Sequence, residues 1–121
     1  MARFRLSRPA QMDVAGIFAQ SAELWGAEAG RRYAVTLATA MREVAFDPEG
    51  RVTRCRNELL PSLRSFHLRH TRVEDPGSRV RRPVHVIYYR AIEPQLIEIV
   101  RVLHERMEPA RRIAEVSERE P

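Results

Sequence analysis

The spacing of apolar and polar residues changes along the chain, from a two-residue period to a helical period and back. Phe4 and Leu6 alternate with arginines, which predicts a short strand with one buried face. The next residues, Ser7-Arg8-Pro9, are typical of a helix start, because serine caps free amide groups and proline is tolerated in the first turn. The chain therefore begins with a strand that leads directly into a helix.

Two helices follow with a very short connection. Gly26 ends the first, since glycine adopts the left-handed conformation of a helix terminus without a Cβ clash. The second runs from about Ala27 to Phe46 and is stopped by Asp47-Pro48-Glu49-Gly50. Because the connection is so short, the two helices are expected to lie antiparallel. Their core-facing stripes are Val14, Ile17, Phe18, Ser21 and Trp25 in the first helix, and Tyr33, Leu37, Ala40, Met41 and Val44 in the second.

The second half of the chain returns to strand-forming sequence. Residues 48–60 are loop-like by composition, residues 69–82 have the polar, turn-rich composition of a long hairpin loop, and Glu93-Pro94-Gln95 breaks the last two apolar runs. The three predicted strands are Leu63–Leu68, Val84–Arg90 and Leu96–Leu103.

This order of elements predicts an α+β fold, β-α-α-β-β-β, with a small, mostly antiparallel sheet packed against an antiparallel two-helix hairpin. Residues 1–107 are expected to form a single domain, and residues 108–121 a tail in which Pro109 starts a short helix. The last two strands are apolar on both sides, but two helices cover only one face of a sheet. We therefore expect the other face to be left partly exposed for a partner.

Composition indicates the cellular compartment in which the protein is expected. The 121 residues contain no apolar run near the roughly 18 residues of a membrane span, so no membrane association is expected. The single cysteine, Cys55, has no partner for a disulfide, which favours the cytoplasm.

All 21 basic residues are arginine, and their distribution is uneven. Residues 51–90 hold ten arginines and three acids, a balance of +7, while residues 1–50 balance at zero and residues 91–121 at −2. Such a local positive charge favours an acidic partner, either a nucleic acid or an acidic protein segment.

Signals for cofactor or metal chemistry are weak. We find no glycine-rich phosphate loop and no nucleophile elbow, so no cofactor is expected. The histidines are His67, His70, His85 and His104, and their spacing matches no zinc signature. No metal site is expected.

Five blocks of sequence, in order, resemble the ParE branch of the RelE/ParE superfamily of toxins from type II toxin–antitoxin systems. They are RLSRPAQMDVAGIF, LWGAEAGRRYAVTL, LRSFHL, HVIYYR and IEIVRVLHERM. The resemblance implies a plasmid-stabilisation toxin that inhibits DNA gyrase by protein–protein binding, with only indirect contact to nucleic acid. It also implies neutralisation by a cognate antitoxin of the ribbon-helix-helix, ParD-like type, and no catalysis by the toxin itself.

The alternative is a RelE-like toxin that cleaves messenger RNA in the ribosome, which needs an acid, a base and cations around the phosphate. Its candidate catalytic residues are His104, Arg64 and Arg101, with His85 or Tyr89 as further recruits. Against it, the chain has no lysine, and no tyrosine follows the last strand. A third hypothesis is a nucleic-acid-binding module that uses the basic middle segment, although no recognition helix is identifiable.

The residues predicted to bind the target or the antitoxin combine arginines of the strands with aromatic side chains. Arg64 and Arg101 each interrupt an apolar strand, so each must reach water or a carboxylate, and Glu98 or a glutamate of the second helix is the expected internal partner. If Arg101 is instead free, Arg101→Ala should lower toxicity more than stability. The predicted set is Arg64, Phe66, Tyr89, Arg101, His104, Arg106, Trp25 and Tyr33.

Overall fold

The chain folds as strands on either side of a long helical segment. The computed structural model describes residues 2–73, 77 and 79–119, without the side chains of residues 116–119. The helical segment Arg8–Phe46 is broken at Gly26, whose φ of 88° and ψ of 166° are not helical, and we name its two arms α1 (residues 8–25) and α2 (residues 27–46). The remaining elements are β1 (Arg3–Leu6), β2 (Arg54–Cys55), β3 (Arg64–His67), a 3₁₀ turn (Leu68–His70), β4 (His85–Glu93), β5 (Leu96–His104) and α3 (Pro109–Arg119).

One serine joins β1, α1 and β5. As predicted, Ser7 caps α1, because its hydroxyl accepts the amide proton of Ala10 at 3.1 Å. The same hydroxyl donates to the carbonyl of Val100 at 2.7 Å. The start of α1 is therefore fixed against the middle of β5.

The two helical arms form the predicted hairpin. Gly26 makes the turn, and Gly30 lies so close to Ala22 that a Cβ at position 30 would sit 3.3 Å from the Ala22 Cα atom. Glycine thus permits the close approach of α2 to α1 near the turn. The predicted stripe of α2 is confirmed, since all five of its residues are buried.

The five strands form one mixed sheet in the order β1-β5-β4-β3-β2. β1 runs parallel to β5, and every other neighbouring pair is antiparallel. The predicted α+β class is confirmed. The prediction missed β2, because two residues are too few for a periodic pattern and this strand exists only through its pairing with Ser65 and Arg64 of β3.

The larger core lies between the helix hairpin and one face of the sheet. Its sheet residues include Phe66, Ile87, Tyr89, Ile99 and Val102. In α1 the predicted stripe is only partly correct: Ile17 and Ser21 are buried, but Phe18 and Trp25 are 38% and 59% exposed. Both therefore lie at the border of the buried stripe.

The opposite face of the sheet is not open, and the expectation of an exposed apolar sheet surface is wrong. Tyr88, Val100 and Leu103 are buried in a second, smaller cluster. Leu63, from the loop before β3, and the fully buried Ile113 of α3 cover them.

Among the described residues, no helix is long and apolar enough to cross a membrane.

Candidate functional site

The residues singled out near the end of β5 line a cleft of about 850 Å³ between α1 and the C-terminal part of that strand. One wall is a face of α1 that includes Met12, Asp13 and Gln20. The other wall comes from β4, β5 and the turn after β5, and it consists of His85, Arg101, Val102, Leu103, His104, Arg106 and Met107, with Arg112 of α3 at the edge. We call this the β5 cleft.

Arg101 is held at the edge of the β5 cleft by a bidentate ion pair. Its Nε and Nη2 atoms donate to the two carboxylate oxygens of Asp13 at 2.7 and 2.8 Å, and Nη1 donates to the carbonyl of Arg112 at 3.1 Å. Hydrogen bonding to Asp13 is the main reason that the pKa of Arg101 is raised. The Arg101 side chain is only 11% exposed, so it ties α1, β5 and α3 together and is not free for a target.

Asp13 is a residue that sequence reasoning missed. Its Oδ2 atom also accepts the amide proton of Val102 at 3.0 Å, which satisfies a backbone donor of β5 beyond the end of β1. The predicted partners of the interrupting arginine were Glu98 or a glutamate of α2. Glu98 is instead buried and pairs with Arg90 and Arg5. The available signal was position: Asp13 lies four residues before the buried Ile17 and so borders the core-facing side of α1.

His85 is held in place by a hydrogen bond to Tyr33. The Tyr33 hydroxyl accepts the amide proton of Val84 at 3.1 Å and is hydrogen-bonded to the Nδ1 atom of His85 at 2.6 Å. Burial, reinforced by the nearby His104 and His67, lowers the pKa of His85 to about 4. Burial also raises the pKa of the Tyr33 hydroxyl. Both groups are therefore neutral at pH 7.

His104 faces His85 across the sheet. The two residues are register partners, and their rings meet edge to face at 5.6 Å between centroids. The His104 Nδ1 atom accepts the amide proton of Arg106 at 3.1 Å, which leaves its Nε2 atom directed away from the backbone. The Arg106 side chain is exposed.

Arg64 lies in a different part of the molecule. In β3 it is the register partner of Tyr89 of β4. It lies three residues before His67, the last residue of β3, which is a distance of roughly 10 Å along the strand. Its guanidinium donates to the Thr53 hydroxyl at 3.3 Å from Nε and 2.8 Å from Nη2. Arg64 lines a separate hollow with Asp47, Cys55 and Asn57. The structure therefore does not bring Arg64 together with Arg101 and His104.

Three of the predicted aromatic contacts are buried, and one is exposed. Phe66, Tyr33 and Tyr89 are 3%, 4% and 0% exposed, so none of them offers a free surface in this conformation. The Tyr89 hydroxyl donates to the carbonyl of Pro48, and burial raises its pKa. Trp25, by contrast, lies exposed beside Leu24 at the tip of the helix hairpin.

Among the described residues, no group of three or more His, Cys, Asp or Glu side chains is arranged to hold a metal ion. The β5 cleft therefore offers contacts of two kinds: the exposed apolar side chains of Met12 and Met107, and the polar groups of His104 and Arg106. Flexible methionines beside an arginine suit binding to another protein surface.

Two comparisons with known proteins bear on this chain. A family model described as "ParE toxin of type II toxin-antitoxin system, parDE" matches residues 4–109. A solved structure titled "Chromosomal ParDE TA system from P. aeruginosa" has a chain that superposes with a TM-score of 0.62. It is 15% identical and the match covers 86% of this chain and 95% of that chain, so it supports the fold alone. Comparison with curated protein sequences gives no significant match.

Proposed function

Because this chain belongs to the ParE toxin family of type II toxin–antitoxin systems, we propose that it inhibits DNA gyrase by binding it and is neutralised by a cognate antitoxin of the ParD type. Family membership implies the antitoxin partner. The proposal goes further than family membership in two respects. It names gyrase as the target, and it names the ribbon-helix-helix, ParD-like type for the antitoxin.

The observation that carries the proposal is the composition of the β5 cleft. Met12 and Met107 are 67% and 44% exposed, and Arg106 beside them is exposed as well. Exposed apolar side chains next to an arginine are typical of the centre of a protein–protein contact. We assign Met12, His104, Arg106 and Met107 to target contact.

The geometry disfavours the nuclease alternative. An RNA-cleaving site needs a base, an acid and a cation within hydrogen-bond reach of one phosphate. Arg64 is on another part of the sheet, and both carboxylate oxygens of Asp13 occupy Arg101. His104 has no second acid–base group of the predicted catalytic set aligned beside it, since His85 is neutral and hydrogen-bonded to Tyr33.

The test measures supercoiling by purified gyrase on relaxed plasmid and, in parallel, mRNA integrity in a translation extract. We expect trapped DNA breaks with gyrase and intact mRNA. Arg106→Glu should weaken inhibition about 10-fold, because a charge reversal at a contact removes one favourable interaction and adds a repulsive one. Arg111→Glu, an equal reversal on the exposed side of α3, is the matched control and should behave like the wild type.

Codon-dependent mRNA cuts that disappear in His104→Gln would overturn the proposal in favour of the nuclease. Unchanged gyrase activity at all toxin concentrations, without mRNA cleavage, would remove gyrase as the target.

A further inference from the structure

A second exposed surface lies along α2, and it shares no lining residue with the β5 cleft. α2 runs beside the segment after β3, and the two are joined where the Glu43 carboxylate accepts the amide proton of Arg72 at 2.6 Å. On either side of this contact is a hollow. One, of about 630 Å³, includes Arg42, Phe46, Arg51, Val52 and Arg72, and the other, of about 520 Å³, includes Thr36, Arg69, Thr71, Arg79 and Arg81. We call the two hollows together the α2 groove.

The floor of the α2 groove is apolar at its wider end. Phe46, the last residue of α2, is 83% exposed, and Val52 is 44% exposed. A phenylalanine that is exposed to this degree contributes nothing to the core. Exposed apolar side chains in a concave surface favour a protein partner, because the partner gains by burying them.

The rim of the α2 groove is basic and lacks acidic partners. Within the described part of the chain, no carboxylate lies within 4 Å of the guanidinium of any of four arginines that line it: Arg42, Arg51, Arg69 and Arg72. Their recorded side-chain contacts are with neutral groups: Arg42 donates to the Thr39 hydroxyl at 3.4 Å, and Arg69 to the His70 ring at 3.3 Å. These arginines contrast with arginines elsewhere in the chain, which pair with Asp13, Glu28, Glu93 or Glu98.

Two further observations fit an unfilled surface. The pKa of His70 is lowered by its desolvation and by the nearby positive charges of Arg69 and Arg54. In addition, the buried hydroxyls of Thr36 and Thr71 have no hydrogen-bond partner among the described residues, and both residues line the smaller hollow. Groups of this kind gain a hydrogen bond when a polar partner covers them.

We infer that the α2 groove binds an acidic, amphipathic segment of the cognate antitoxin, with apolar side chains on Phe46 and Val52 and carboxylates on the surrounding arginines. The inference rests on the proposed function, since family membership supplies the antitoxin. The stretch of α2 from Thr36 to Phe46 is about 15 Å long, which accommodates an extended segment of four or five residues or about ten residues of helix.

A protein segment explains the groove better than a nucleic acid does. Glu43 and Asp47 line the wider hollow together with the arginines, and their carboxylates would repel a phosphate backbone. A peptide that carries both apolar and acidic residues avoids that repulsion by placing its carboxylates only beside the arginines. The groove also lies apart from Met12, His104, Arg106 and Met107, so antitoxin and target would occupy different surfaces.

The experiment compares three variants of the full chain for binding to the purified antitoxin encoded beside it, at about physiological salt. Arg42→Glu with Arg51→Glu should raise the Kd about 30-fold or more, because it reverses two charges at the rim of the groove, and Phe46→Ser should raise it about 10-fold, because it removes an apolar contact from the floor. Arg8→Glu with Arg111→Glu is the matched double charge reversal elsewhere on the exposed surface and should stay within about twofold of the wild type.

Gyrase inhibition separates the inference from the proposed function. The groove variants should inhibit gyrase as the wild type does, while resisting neutralisation by the antitoxin. Groove variants that bind the antitoxin as tightly as the control variant would overturn the inference. The inference would also be overturned if the groove variants lost affinity for a single-stranded 30-mer DNA and bound the antitoxin with unchanged affinity. If the wild type binds the antitoxin through the groove but leaves gyrase active, gyrase is excluded as the target and the inference about the groove stands.

Discussion

The β5 cleft and the α2 groove both contain arginines, but Arg101 of the β5 cleft and the arginines of the α2 groove are satisfied in different ways. In the β5 cleft, Arg101 is 11% exposed and bound to both oxygens of Asp13. In the α2 groove, Arg42 and Arg51 are exposed, and no described carboxylate lies within ion-pair distance. An arginine that interrupts an apolar strand therefore need not mark a binding site. Arginines left without acidic partners are better evidence of one, because their pairing is available to another molecule.

The largest effect on stability is expected at Arg101. Replacing it with alanine removes both bonds to Asp13 and leaves a carboxylate that is only 13% exposed without its partner. Arg101→Ala should lower the free energy of unfolding by about 3 kcal/mol, as measured by urea denaturation. Toxicity should fall in parallel, which reverses the expectation drawn from sequence that toxicity would fall more than stability.

A double-mutant cycle checks the assignment. Asp13→Ala alone should cost a similar amount, and Asp13→Ala with Arg101→Ala should cost clearly less than the two single losses added together. Additive losses would show that the pair does not act as a unit and would return Arg101 to the list of contact residues.

A smaller effect is expected from His85 when the pH changes. The pKa of His85 is about 4 in the folded protein, below the ordinary value of 6.5, so the unfolded chain takes up a proton first as the pH falls. The contribution of His85 to stability is thus complete above about pH 6.5, is lost as the pH falls toward about 4, and changes little below that. The surrounding charges include His104 and His67, which oppose protonation, and Asp13 and Glu105, which favour it.

We expect the free energy of unfolding to decrease by about 1–2 kcal/mol more in the wild type than in His85→Asn between pH 7.5 and 5. The range allows for screening by solvent. Comparing the two slopes removes the contribution of the other histidines, among them His70, whose pKa is also lowered. Parallel pH profiles for the two proteins would contradict the assignment.

The contrast between the two regions also explains what could be predicted from the sequence. The α2 stripe, the cap at Ser7 and the turn at Gly26 depend on local spacing and local backbone chemistry, so the pattern of residues was sufficient. The pair of Asp13 and Arg101 joins residues 88 apart in the chain, and no local pattern encodes such a contact.

The covering of the second sheet face was missed for a related reason. α3 has few apolar residues, and its anchor, Ile113, becomes significant only when the fold places it over Tyr88, Val100 and Leu103. The α2 groove had a signal, the excess of arginine in residues 51–90. Its apolar part did not, because Phe46 has the appearance of an ordinary helix residue until its exposure is known.

The smallest effect on stability is expected in the α2 groove, and it is the sharpest check of the comparison. Arg42→Glu with Arg51→Glu should change the free energy of unfolding by no more than about 0.5 kcal/mol, since neither side chain has an ion pair with a described residue to lose. The change should even be slightly favourable at low salt, because two of several neighbouring positive charges are removed. Urea denaturation at low and at physiological salt measures both effects, with Arg8→Glu and Arg111→Glu as the matched control. A loss of 2 kcal/mol or more would mean that these arginines support the fold as Arg101 does, and the contrast between Arg101 and the arginines of the α2 groove would fail.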